Sequence, residues 1–231
     1  MDIKVIASGS KGNAYLISDG QTKVMIECGI GYRQIQKAID FQASKLSGVL
    51  VSHEHMDHAY AVNAFCTSAV PVYMTAGTKS AMDIQSHMVR TIKSGKQFEI
   101  GSWTALPFQV EHDAIEPVGF LMQSGDEKLL YATDTYFIRY KFRGVTHLMI
   151  ECNYSEDILN DNVAAGRVSK TLQERLYGSH MNLRRTKEFL LANEWDQLEE
   201  VHLLHLSDSN SDEEQFQKEV QEIVGVPVYV A

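Results

Sequence analysis

Six residues constrain this chain more than any others: His53-Glu54-His55-Met56-Asp57-His58, an H-x-H-x-D-H run that directly follows the apolar stretch Val49-Leu50-Val51. A short aliphatic, β-branched stretch reads as a buried strand. The cluster therefore sits at a strand's carboxyl end, where open α/β sheets place their ligands. Three imidazoles and a carboxylate suit zinc and comparable divalent ions, and four donors on one loop can serve two neighbouring metals. His53 and His55 are assigned to one ion, Asp57 and His58 to the other.

The pattern around the cluster is β-β-β-α-β: runs at 3–7, 14–18 and 23–27, a polar helical stretch, then 48–51. Helices follow over 59–65 and from Thr75 into the eighties, with a strand at 70–73 between them. Runs at 98–100, 104–110, 118–123, 128–132 and 147–151 read as further strands separated by Gly-containing turns. The last third is more helical, over 182–193 and 211–222, the second opening with a Ser-x-x-Glu capping box from Ser211 to Glu214. Strands at 201–206 and 226–230 complete it. Two mixed halves of this kind predict an α/β (α+β) four-layer αβ/βα sandwich in a single domain, 1–231.

No stretch approaches the ~20 apolar residues a spanning helix needs, which excludes a membrane-embedded reading. The first residues lack a basic segment followed by an apolar run, and three widely spaced cysteines (Cys28, Cys66, Cys152) do not suggest a disulfide framework, so the expectation is cytoplasmic. A net charge of −9 counts against wrapping nucleic acid. Its distribution softens that objection: six basic residues against two acidic ones lie between Arg167 and Glu188, then ten acidic residues with only Lys218 basic from Glu194 to Glu222.

With its downstream elements, the cluster resembles the metallo-β-lactamase superfamily over nearly the whole chain. The superfamily's isolated histidine after a later strand is matched by His112, its metal-bridging aspartate by Asp134 in Tyr131-Ala132-Thr133-Asp134-Thr135, and its last histidine by His205 in His202-Leu203-Leu204-His205-Leu206-Ser207. The resemblance implies a metallo-β-lactamase fold and two divalent metal ions, zinc or manganese, held by His53, His55, Asp57, His58, His112, Asp134 and His205. Where the superfamily usually has an aspartate supporting a ligand after the third strand, this chain has Glu27.

Ser8-Gly9-Ser10-Lys11-Gly12-Asn13 resembles the small exonuclease-like branch related to ribonuclease Z and ribonuclease J. So do His112-Asp113 with Glu116-Pro117-Val118-Gly119, Glu151-Cys152-Asn153, and Gly178-Ser179-His180-Met181-Asn182. In that branch an extra histidine acts on the scissile phosphate, and His180 occupies its position. The resemblance implies a metal-dependent phosphodiesterase acting on nucleic acid, DNA before RNA, as an exonuclease. Asp57, Asp134 and His180 are its catalytic residues, and Glu27 and Glu151 support them. Lys11, Ser207, Arg184 and Arg185 are assigned to the substrate phosphates. Substrate capture then uses loops or a second subunit in a homodimer. The alternatives are a small-molecule hydrolase, such as a cyclic-nucleotide phosphodiesterase, and a binding protein with a vestigial site, which the intact ligand set disfavours.

Overall fold

The computed structural model describes residues 1–231, which form two compact units, Met1–Gln109 with Ala114–Glu127, and Val110–Asp113 with Lys128–Ala231. No helix is long and apolar enough to cross a membrane.

In the first unit, β1 (Asp2–Ala7), β2 (Ala14–Ser18) and β3 (Lys23–Ile26) pair antiparallel. After α1 (Tyr32–Ala38), the sheet continues in parallel through β4 (Leu46–Leu50), β5 (Val72–Thr75) and β6 (Val89–Ile92), in the order β1-β2-β3-β4-β5-β6. Between these strands come α2 (Met56–Ala59), α3 (Val62–Thr67) and α4 (Ala76–Ala81). Parallel strands with both faces covered carry near-continuous apolar runs. Val49, Leu50, Val72 and Met74 accordingly have no solvent exposure, and Phe65 of α3 joins Val49 and Val72 in one core cluster. An antiparallel set follows: β7 (Phe98–Ile100), β8 (Trp103–Gln109) and β9 (Val118–Ser124).

The second unit is a parallel sheet. Its strands β10 (Glu127–Ala132), β11 (His147–Glu151), β12 (Glu200–Leu204) and β13 (Val228–Val230) pair in that order. Helices α5 (Glu156–Ala164), α6 (Lys170–Ser179) and α7 (Leu183–Leu191) connect β11 to β12, and α8 (Glu213–Val224) connects β12 to β13. All five residues of β11 are buried. Phe216 and Val220, four apart on one face of α8, are fully buried.

Three elements depart from the sequence expectation. Strand β6 and helices α5 and α6 were not anticipated. The start of α8 is also displaced by one residue: the Asp212 carboxylate accepts from Gln215 N at 2.9 Å and is the cap, while the Ser211 hydroxyl donates to Ser207 O at 2.6 Å. A carboxylate at this position also complements the positive end of the helix dipole.

Candidate metal centre

The H-x-H-x-D-H residues occupy the loop after β4 and the single turn α2, and neighbouring strand ends hold that loop by its backbone. Asn13 N donates to Asp57 O at 2.7 Å and Cys28 N to His58 O at 2.8 Å. Gly29 passes so close that a Cβ there would lie 1.6 Å from Asp57 O, which requires glycine. The Ser8–Asn13 motif and the end of β3 thus form a clamp on the histidine loop.

Within the loop, the His53 ring centroid lies 4.7 Å from that of His55 and 4.2 Å from that of His58. The Ser52 hydroxyl is 2.8 Å from His53 Nδ1, the arrangement that sets a ligating histidine's tautomer and presents Nε2 to an ion. Glu27 is fully buried; both its carboxylate oxygens accept from Ser52 N at 3.3 Å, and Oε1 is 3.6 Å from His58 Nδ1. The glutamate thus reaches the imidazole of a predicted ligand. Asn13, a residue not singled out from sequence, places Nδ2 3.1 Å from His58 Nε2, while its Oδ1 accepts from Gly9 N at 2.9 Å and from the Tyr15 hydroxyl at 3.0 Å. Lys11 borders a surface groove with Ser8, Gly12, Ile30 and Tyr60.

The second unit gathers the remaining predicted residues at the carboxyl ends of its parallel strands. Asp134 follows β10, Glu151 ends β11, His180 ends α6 and His205 follows β12. One ligand atom from each of these four lies within 4.8 Å of the others. Glu151 Oε1 is 2.6 Å from His180 Nδ1, and Asp134 Oδ1 is 3.8 Å from the same nitrogen and 3.5 Å from His205 Nδ1. The His180 and His205 rings stack, 5.3 Å between centroids and 11° between planes. His112 Nδ1 donates to Ser179 O at 3.1 Å, which directs Nε2 to the ligand role; Nε2 is 3.9 Å from Asp134 Oδ2. Asn153, also not singled out, donates from Nδ2 to His205 O at 2.7 Å, and the same nitrogen is 3.0 Å from His205 Nδ1. Imidazole nitrogens and carboxylate oxygens at this density suit a divalent metal ion.

The electrostatics separate two histidines. Burial pulls the His112 imidazole below its ordinary value and outweighs the opposing charge of Asp134, which favours the neutral form that a ligand needs. Burial acts on His180 in the same direction, but the charge and hydrogen bond of Glu151, reinforced by Asp134, overcome it and raise its pKa. Burial favours the neutral acid form of Glu151, and the partnership with His180 overrides it and lowers its value. The Glu151 carboxylate thus favours the protonated form of the His180 imidazole.

Three of the seven non-glycine residues with positive φ lie among these positions. Glu27, Asp134 and His205 take positive φ, of 60°, 49° and 57°, in the left-handed region that side chains disfavour. Each turns the chain sharply at a strand's carboxyl end.

The predicted phosphate-binding residues are placed differently from one another. Arg184 is engaged by Glu156 and Glu188, each at 3.0 Å. Arg185 lies over the Tyr136 ring, 5.2 Å from its centroid, and donates to Tyr136 O at 2.8 Å. The Ser207 hydroxyl accepts from Asn210 Nδ2 at 3.1 Å. Elsewhere in the basic segment, Arg175 pairs with Asp113 at 3.6 Å and Lys187 with Glu219 at 2.6 Å. Local carboxylates therefore neutralise much of the positive stretch.

A family model described as a β-lactamase superfamily domain matches residues 22–205. The chain belongs to the metallo-β-lactamase superfamily. Exodeoxyribonuclease WalJ of Streptococcus pneumoniae is 24% identical over 222 residues, covering 90% of this chain and 82% of that protein. Exodeoxyribonuclease YycJ of Bacillus anthracis is 24% identical over 242 residues, covering 97% and 89%. Among solved structures, the metallo-β-lactamase fold protein YhfI of Bacillus subtilis superposes with a TM-score of 0.75 at 17% identity, covering 99% of this chain and 95% of that one. The fold is that of the superfamily, two mixed sheets with helices. The chain is a metal-dependent hydrolase with a His/Asp metal site.

Proposed function

We propose that this hydrolase is a dinuclear phosphodiesterase that cleaves nucleic-acid phosphodiester bonds, acting on DNA from an end. The observation that carries the reading is the 2.6 Å pairing of His180 Nδ1 with Glu151, which orients an imidazole beyond the expected metal ligands and favours its protonated form. A thioester hydrolase, whose thiolate leaves without protonation, has less use for such a group than an enzyme whose leaving alkoxide needs a proton. The names of the two similar exodeoxyribonucleases support the same substrate class.

In this reading His53, His55, Asp57 and His58 of the first unit and His112, Asp134 and His205 of the second would hold the two ions. When bound, the ions supply an activated water and neutralise charge on the phosphoryl oxygens. The chain's own residues do the rest. His180 Nε2 gives its proton to the departing oxygen, and Glu151 keeps the ring oriented and charged until it does. Buried Glu27 and Asn153 fix His58 and His205 in place, as carboxylates and amides behind metal-bound histidines commonly do.

The test is hydrolysis of end-labelled single- and double-stranded DNA, RNA and cyclic mononucleotides by zinc- and manganese-loaded protein, beside Asp57→Ala. Progressive shortening of DNA that the variant lacks is the expected result. Turnover of cyclic mononucleotides alone would replace this reading with a small-molecule phosphodiesterase, and full activity after chelation would remove the metal-dependent mechanism.

A further inference from the structure

The segment immediately after Asp134 reads Tyr136-Phe137-Ile138-Arg139-Tyr140-Lys141-Phe142-Arg143, with three cations and no acid in a chain of net charge −9. Alternating rings and cations on a surface segment is the composition of a single-strand platform, where bases stack on rings and cations follow the phosphates. The structure gives this segment a cavity of about 270 Å³, close to the small end of ligand pockets. Its walls include Tyr136, Phe137, Tyr140, Lys141 and Arg185, and Phe189 of α7 also lines it. Phe137 is 53% and Tyr140 38% exposed, unusual for rings beside an apolar cavity they could fill.

The pocket is anchored to the catalytic apparatus by one carboxylate. Glu151, which holds His180 through Oε1, accepts with Oε2 from Thr135 N at 3.0 Å and from Met181 N at 3.2 Å. Thr135 leads into the aromatic segment, and Met181 lines the pocket. Its charge also favours a polyanion: Arg139 is paired with Glu111, but Lys141 and Arg143 are exposed, and the carboxylate at its edge, Glu188, is engaged by Arg184 at 3.0 Å.

We propose that this pocket receives an unpaired nucleobase of a DNA strand next to the scissile phosphate, stacked by Phe137 and Tyr140, with Lys141 and Arg143 on the adjoining phosphates. The proposal rests on the nuclease reading above and adds to it a preference for single-stranded ends and for nucleotides that carry a base.

The experiment measures fluorescence anisotropy of metal-loaded, full-length protein with a labelled phosphorothioate DNA 12-mer, the same 12-mer with abasic sites at its ends, and a blunt hairpin duplex. Wild type is expected to bind the complete 12-mer about tenfold or more tighter than the abasic one, the size of one stacked base. Phe137→Ala with Tyr140→Ala should remove that difference, and Phe137→Trp with Tyr140→Phe, which keep the rings, should preserve it. Wild type that binds the single strand without discriminating abasic ends, or an alanine double variant that still discriminates, overturns the subsite and leaves the nuclease reading standing. Wild type that neither binds nor cleaves any oligonucleotide removes both.

Discussion

Glu151 and His180, 29 positions apart in sequence, meet at 2.6 Å with the carboxylate fully buried. Neither is comfortable alone: burial would neutralise each, and each keeps the other charged. On the proposed mechanism, His180→Ala should lower kcat on DNA by about 10²–10⁴-fold, the usual worth of a positioned proton donor, while retaining both metals by elemental analysis. Glu151→Gln keeps a hydrogen-bond acceptor but loses the charge, and should depress kcat more than it changes KM. Loss of metal in His180→Ala in proportion to activity would instead make His180 a ligand.

Gly29 offers a purely steric test. A methyl group there would meet Asp57 O at 1.6 Å and His58 N at 2.7 Å, both backbone atoms that cannot swing away. Gly29→Ala should therefore destabilise the protein by about 3 kcal/mol and reduce bound metal, although residue 29 itself carries no donor. Unchanged thermal unfolding and metal content would show that the clamp on the histidine loop is dispensable.

The two neighbouring arginines should behave differently. Arg184 is already neutralised by Glu156 and Glu188, so Arg184→Ala should leave DNA turnover within about twofold, as expected for an exposed ion pair. Arg185 holds Tyr136 through its ring and its carbonyl. Arg185→Ala should cost about tenfold in kcat/KM on DNA, the worth of a partly desolvated cation–π contact, and much less on a cyclic mononucleotide. Equal losses for the two variants, or for the two substrates, would contradict this assignment.

Asp19 supplies a pH test outside the histidine and carboxylate clusters. Burial alone would raise its carboxyl, but the hydroxyls of Ser102 and Ser124 and the N–H groups of Thr22 and Gln21 outweigh burial and hold it well below the usual carboxylate range. A depressed folded pKa stabilises above the unfolded value, about 3.9, and that contribution is lost as pH falls through the folded one. Asp19→Asn should cost about 1 kcal/mol at neutral pH, after allowance for solvent screening. In urea unfolding the gap from wild type should close from about pH 5 downward. A gap that does not change with pH would mean that the charge contributes nothing.

The superfamily fold was legible in the sequence through its motifs more than through its individual elements. The histidine loop announces itself because four donors lie within six residues after a strand. The metal-dependent hydrolase and its superfamily fold followed from that loop and the spaced downstream motifs. Strand β6 escaped because Arg90 and Thr91 face solvent between buried Val89 and Ile92, which breaks the two-residue alternation. Helices α5 and α6 escaped because their apolar stripes are short: Leu159 with Val163 in α5, and Leu176 in α6, pack into one small cluster with Tyr154 and Val168. Asn13 and Asn153 stood inside quoted motifs, yet their contacts with His58 and His205 span 45 and 52 positions, beyond what spacing reveals. The arginine pair read alike in sequence because Glu156, 28 positions from Arg184, becomes its neighbour only in the fold.

Left-handed backbone at Glu27, Asp134 and His205 has a consequence for anyone selecting variants of this protein. Glycine at any of these positions relaxes a conformation that side chains resist, while deleting a group assigned to the metal centre. A screen that rewards heat tolerance alone will therefore enrich inactive sequences at these turns, and only a paired selection for turnover will keep the donors in place.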